Sequence, residues 1–117
     1  MKHEVLLQLA NEFGNPLYVY DADKIASQYD RLTRAFSKVE KFKIHYAVKA
    51  LSNISILNYL KSLGSGLDTV SIQEVQLGLY AGFDPKDIIY TPNGVSMEEI
   101  EAVAQLGVQI NIDNFSF

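Results

Sequence analysis

The chain has 117 residues, 48% apolar, 21% charged and 11% aromatic; that is enough apolar surface to bury a core and excludes intrinsic disorder. Ten Lys and Arg against 14 Asp and Glu leave a formal charge of −4, so neither a nucleic-acid partner nor binding to an anionic membrane surface is expected. There is no cysteine, which excludes disulfides, thiolate metal sites and a cysteine nucleophile, and no metal centre is expected.

Val5, Leu6, Leu9, Ala10 and Phe13 recur at helical spacing and predict an amphipathic helix over residues 4–13. Gly14-Asn15-Pro16 stops it. The apolar stretch is broken by Gln8, Asn11 and Glu12, so it reads as neither signal peptide nor membrane span, and a cytoplasmic address is expected. Leu17-Tyr18-Val19-Tyr20 is β-branched and aromatic and predicts a short strand. Asp21 is a candidate N-cap for a helix whose face carries Ile25, Tyr29, Leu32 and Phe36.

From residue 42 a repeat sets in. A strand is predicted over 42–48, then a helix over about 53–63 with Ile54, Leu57, Leu60 and Leu63 on one stripe. Gly64-Ser65-Gly66 turns the chain into a strand over 67–70. Ser71 and Glu74 form a capping box that opens a helix to about Ala81, ended by Gly82 and the turn Asp84-Pro85-Lys86-Asp87. A strand over 88–91 leads to a second capping box, Ser96 and Glu99, and a helix to Leu106. Gly107 then precedes a strand over 108–113.

The strand ends at Lys49, Val70, Thr91 and Asp113 are 21, 21 and 22 residues apart. Such a βα repeat predicts an α/β fold, a parallel sheet covered by helices. A doubly wound sheet and a (β/α)8 barrel both satisfy it. A full barrel needs roughly 250 residues, so four steps amount to about half of one. The last predicted strand has no helix after it, and Asn114-Phe115-Ser116-Phe117 ends on aromatics. The chain is therefore expected to be the N-terminal part of a longer protein.

Within His45-Tyr46-Ala47-Val48-Lys49-Ala50, strand alternation puts His45, Ala47 and Lys49 on one face and Ile44, Tyr46 and Val48 on the other. Lys49 then stands at the C-terminal end of a strand, where active sites of α/β folds form. Small Ala47 beside it leaves space for a flat ligand. Apolar flanks would lower the lysine pKa and free the amine as a nucleophile. Position alone favours a solvated strand end whose charged tip snorkels to water. His45 reads as a packed, hydrogen-bonded core residue, Ser71 and Glu74 as helix caps, Asn93 as turn chemistry, and Asp113 is open.

Tyr46-Ala47-Val48-Lys49-Ala50 resembles the Schiff-base lysine motif of the fold-type III pyridoxal-phosphate enzymes, the alanine racemase and basic amino-acid decarboxylase families. Further stretches are similar to the diaminopimelate decarboxylase branch: residues 63–71, Glu74 with residues 77–82, Pro92-Asn93-Gly94-Val95-Ser96, Asn111-Ile112-Asp113-Asn114, and the opening residues 16–21. The sequence departs from that pattern at Leu51, where the family usually has Asn, and at Ile72-Gln73, where it often has Gly-Gly.

The resemblance implies an alanine racemase-like (β/α)8 barrel, of which residues 22–117 would be the first part. Residues 1–21 would supply a helix and a strand that joins a C-terminal β domain. It implies pyridoxal 5′-phosphate as cofactor, with Lys49 as its catalytic attachment and Ala47 and Asp68 near the pyridine ring. It implies decarboxylation of meso-diaminopimelate to lysine by a full-length homodimer, with a small amino-acid substrate. The phosphate-binding glycines and the substrate-carboxylate arginine of the family would lie later in the chain, so these residues alone are expected to be inactive. A related decarboxylase of ornithine, arginine or carboxynorspermidine, or a non-catalytic pyridoxal-phosphate-binding homologue, is the alternative.

Overall fold

Strand pairing in the computed structural model, which describes residues 1–113, is parallel and sequential. β1 (His45–Ala47), β2 (Gly66–Thr69), β3 (Ile88–Tyr90) and β4 (Gln109–Ile110) lie side by side in the order β1-β2-β3-β4. A doubly wound sheet reverses its strand order about a switch point. An unbroken order is how a (β/α)8 barrel wall is built, so the fold is the α/β barrel start rather than an open doubly wound sheet.

Two compact units divide the chain, Met1–Ser37 and the residues from Lys38 onward. In the first, α1 (His3–Phe13) and α2 (Ala22–Ala35) form where apolar periodicity predicts helices. Asp21 caps α2 by accepting the Lys24 N–H at 3.1 Å. The N-terminal ammonium on Asp21, and then that amide, hold its carboxyl below the usual carboxylate range. Neither helix buries a residue. The strand expected over residues 17–20 is not formed: no described strand pairs with it, and Tyr18 is 87% exposed. β propensity alone cannot make a strand without a hydrogen-bonding neighbour.

In the second unit α3 (Ile54–Ser62), α4 (Ile72–Tyr80) and α5 (Met97–Ala104) connect the strands. Each starts at a side-chain cap: Asn53 accepts the Ser55 and Ile56 amides, Ser71 the Glu74 amide and Ser96 the Glu99 amide. The helices cover one face of the sheet. Leu67, Ile88 and Tyr90 on the strands and Leu57, Val75 and Val103 on the helices are fully buried, each contributing about 1.5–3 kcal/mol of apolar transfer. Gly78 in α4 lets the helix lie close: a Cβ there would come within 2.7 Å of Leu67 Cδ1.

The strands are shorter than expected at both edges. β1 starts at His45 rather than Phe42, because β2 offers a partner only from Gly66, after the turn. β4 ends at Ile110 because β3, its one described neighbour, has ended. The expected aromatic end at residues 114–117 lies outside the described residues.

The capping boxes use their carboxylates differently. Glu74 Oε2 accepts the Val70 N–H at 2.8 Å, closing back on the start of its own helix. Glu99 instead reaches the start of α4 and the end of β3, where Oε1 accepts the Ile72 N–H at 3.0 Å and the Tyr90 hydroxyl at 2.8 Å. Burial, and then this carboxylate, push the Tyr90 hydroxyl above its ordinary range. Glu99→Ala strands two donors at once and is expected to cost about 2 kcal/mol in a urea unfolding experiment on the full-length protein. Glu99→Gln keeps an acceptor and should cost less; equal losses for the two variants would refute the hydrogen-bond account.

Candidate active site

The face of the sheet that the helices leave uncovered carries His45 and Ala47 from β1, Asp68 from β2, Ile89 from β3 and Gln109 from β4. Register places Ala47 beside Asp68, Asp68 beside Ile89 and Ile89 beside Gln109. Their half-buried to exposed state contrasts with the fully buried Leu67, Thr69, Ile88 and Tyr90 that alternate with them. Thr91 follows β3 and Asn111 follows β4 on the same alternation, and both are held by backbone hydrogen bonds, Thr91 N–H to Thr69 O and Asn111 N–H to Tyr90 O, each 2.8 Å.

Lys49 does not continue the alternation of β1. The strand ends at Ala47, and Val48–Ala50 turn in a single 3-10 turn. Val48 is fully buried and anchors that turn, while Lys49 is exposed. No described carboxylate pairs with its ammonium. The apolar enclosure expected around Lys49 is thus not supplied by these residues, but its position at the C-terminal end of β1 is as expected.

Asp68 sits inside β2 and its Oδ1 accepts the Thr91 hydroxyl at 2.9 Å. Its partner is a side chain, just past the end of the neighbouring strand. Ser71 and Glu74 are occupied as helix caps. Asn93-Gly94 forms a bend in which Gly94 takes φ +67°, a conformation glycine adopts without strain. Asp113 lies three residues past the end of β4.

His45 packs without a hydrogen bond among the described residues, so only the packing half of its expected role is met. Its ring lies over Gly66: a Cβ there would fall 2.5 Å from His45 Cδ2 and 2.6 Å from the Asp87 carbonyl oxygen. The ring can rotate away, but the backbone carbonyl cannot. Gly66→Ala is therefore expected to destabilise the full-length protein by about 1–3 kcal/mol, read as a lower thermal midpoint, and a midpoint unchanged within error would refute this close approach.

Thr91, the partner of Asp68 on this face, is the residue that sequence reasoning passed over. The signal was available. The 21-residue repeat puts Ile89 level with Asp68, and alternation then returns Thr91 to the same face one step further along.

Residues 22–117 match the family described as "Pyridoxal-dependent decarboxylase, pyridoxal binding domain". The chain belongs to this family. Among its relatives, the diaminopimelate decarboxylase of Methanothermobacter thermautotrophicus is 44% identical over 94% of this chain and 26% of that protein. The crystal structure of diaminopimelate decarboxylase from M. jannaschii in co-complex with L-lysine superposes with a TM-score of 0.87 at 32% identity, covering 93% of this chain and 26% of that one. The lysine/ornithine decarboxylase of Vibrio vulnificus complexed with putrescine gives 0.85 at 26% identity, over 96% and 30% of the two chains. The chain thus spans about a quarter of the length of the curated relatives it matches.

The residues present fit the cofactor of this pyridoxal-binding family. An exposed primary amine without an ionic partner among the described residues stands just past a strand end, small Ala47 precedes it by two residues, and a carboxylate lies beside Ala47 on the same face.

Proposed function

We propose that the full-length protein decarboxylates meso-diaminopimelate to lysine, with pyridoxal phosphate held by Lys49. The observation that carries this reading is the 44% identity to a diaminopimelate decarboxylase over nearly the whole chain. The ornithine-type relative reaches the same fold at only 26% identity, so the shared barrel start does not favour that substrate equally.

When bound, pyridoxal phosphate supplies an electron sink for the pair left behind by departing carbon dioxide. The chain's own residues prepare for it. Lys49 offers an accessible amine on a turn that Val48 anchors in the core. Ala47 keeps the surface beside it low enough for a planar ring. Asp68 presents a carboxylate on the adjacent strand, fixed on one oxygen by Thr91. The groups that would cradle the phosphate and bind the substrate carboxylate belong to the remaining three quarters of the protein, so residues 1–117 alone are read as inactive.

Residues 1–21 are read as serving a C-terminal β domain, with 17–20 as the strand given to it; the unpaired, exposed state of that segment supports this. The enzyme is read as a cytoplasmic homodimer. No described helix is long and apolar enough to cross a membrane, and exposed Val5, Leu6, Leu7 and Phe13 offer apolar surface for the rest of the chain or a second subunit to cover. The test is borohydride reduction of the full-length protein with pyridoxal phosphate, followed by peptide mapping and by carbon dioxide release from diaminopimelate. A label on Lys49 with release supports the reading. A label without release leaves the cofactor site and rejects the substrate.

A further inference from the structure

Four side chains, from β2, β4 and the residues just past β3 and β4, form one directed line of hydrogen bonds across the open face. Gln109 Nε2 donates to Asn111 Oδ1 at 3.3 Å, Asn111 Nδ2 to Thr91 Oγ1 at 3.2 Å, and Thr91 Oγ1 to Asp68 Oδ1 at 2.9 Å. A hydroxyl has one proton and two lone pairs. Because the Asn111 amide occupies a lone pair, the Thr91 proton is committed to Asp68. The reverse orientation of the Asn111 amide would leave that single proton between two acceptors. Every donor in the line points toward the carboxylate, and successive bonds of this kind polarise one another. The line ends with Asp68 Oδ2 free among the described residues. The hydrophobic core of the described residues lies on the other face of the sheet.

We propose that Thr91 is a positioning residue for the pyridoxal site, holding the Asp68 carboxylate oriented on the face that carries Ala47 and leads to Lys49. The proposal rests on the reading of Lys49 given above and deepens it. With Oδ1 held by Thr91, Oδ2 stays available to accept from a ligand. Thr91 acts only through Asp68.

The test uses the full-length protein freed of cofactor and titrated with pyridoxal phosphate, with the visible band of the bound form read as affinity. Thr91→Val keeps the shape and removes the donor; it is expected to weaken binding about tenfold, the scale of a hydrogen bond to a charged group. Thr91→Ser restores the donor and is expected to return affinity to within about twofold of the parent. In an Asp68→Ala background Thr91→Val should change affinity by less than about twofold, since the residue it serves is gone. If Thr91→Val fails to fold, Asn111→Ala, which frees the Thr91 hydroxyl to turn and releases exposed Gln109, is expected to weaken binding in the same direction. Parent-like binding by Thr91→Val, failure of serine to restore it, or an undiminished loss in the Asp68→Ala background overturns the proposal. Absence of a borohydride-stable label on Lys49 in the parent protein overturns both this and the reading beneath it; a labelled Lys49 with an indifferent Thr91 overturns this alone.

Discussion

Lys49→Ala in the full-length protein is expected to lower decarboxylation by a factor on the order of 10³ or more while leaving stability nearly unchanged. The two halves of this result come from different facts. The side chain is exposed and no described carboxylate pairs with it, so its removal takes away no packing and no ion pair, and surface changes of that kind fall within about 0.5 kcal/mol. Val48 and the backbone, not Lys49, hold the turn in place. The chemistry, by contrast, requires a primary amine that can become a nucleophile. Lys49→Arg sharpens the test, because guanidinium keeps the charge and the long stem but has no amine to free. It should be as inactive as the alanine variant, with no label after borohydride. Activity retained by either variant at more than a few per cent of the parent would return Lys49 to a solvated strand end.

Leu67→Ala should have the largest effect on stability, about 3 kcal/mol or more in urea unfolding of the full-length protein. Leu67 is fully buried at the centre of the second unit, in a strand with a parallel neighbour on each side. Its Cδ1 lies against the site of the missing Gly78 side chain, so α4 has no nearby bulk that could swing in to fill the space. The backbone of the strand is held by ladders on both edges and cannot collapse. A combined Leu67→Ala and Gly78→Ala variant puts a methyl group back at that contact and is expected to recover part of the loss. A loss below about 1 kcal/mol for the single change would mean that the helix can shift and that the packing is looser than the fold implies.

Much of this protein is legible from residue order alone. The helices and their starts are local matters: Asn53, Ser71 and Ser96 sit three residues or fewer before the amides they cap, and apolar spacing marks the covered faces. The spacing of strand ends predicts the parallel βα repeat, and the place of Lys49 at the end of the first of these strands makes it the candidate for chemistry. These features depend on neighbours within one turn or one strand, so the local chain carries the information.

What required the tertiary structure were the features that depend on partners distant in the chain. The order β1-β2-β3-β4 separates a barrel wall from a doubly wound sheet, and residue spacing is the same in both. Residues 17–20 have the composition of a strand but no described neighbour, so they are not one. The Glu99 carboxylate belongs to a capping box by spacing, yet it satisfies an amide 27 residues away. Asp68 meets Thr91 across 23 residues. A hydrogen bond between strands is decided by register, and register is set only when the hydrophobic faces of several elements pack together. The sequence by itself therefore determined the helices, the βα repeat and the place of Lys49 at its first strand end; the packed sheet decided which way the strands are ordered and which side chains stand beside that strand.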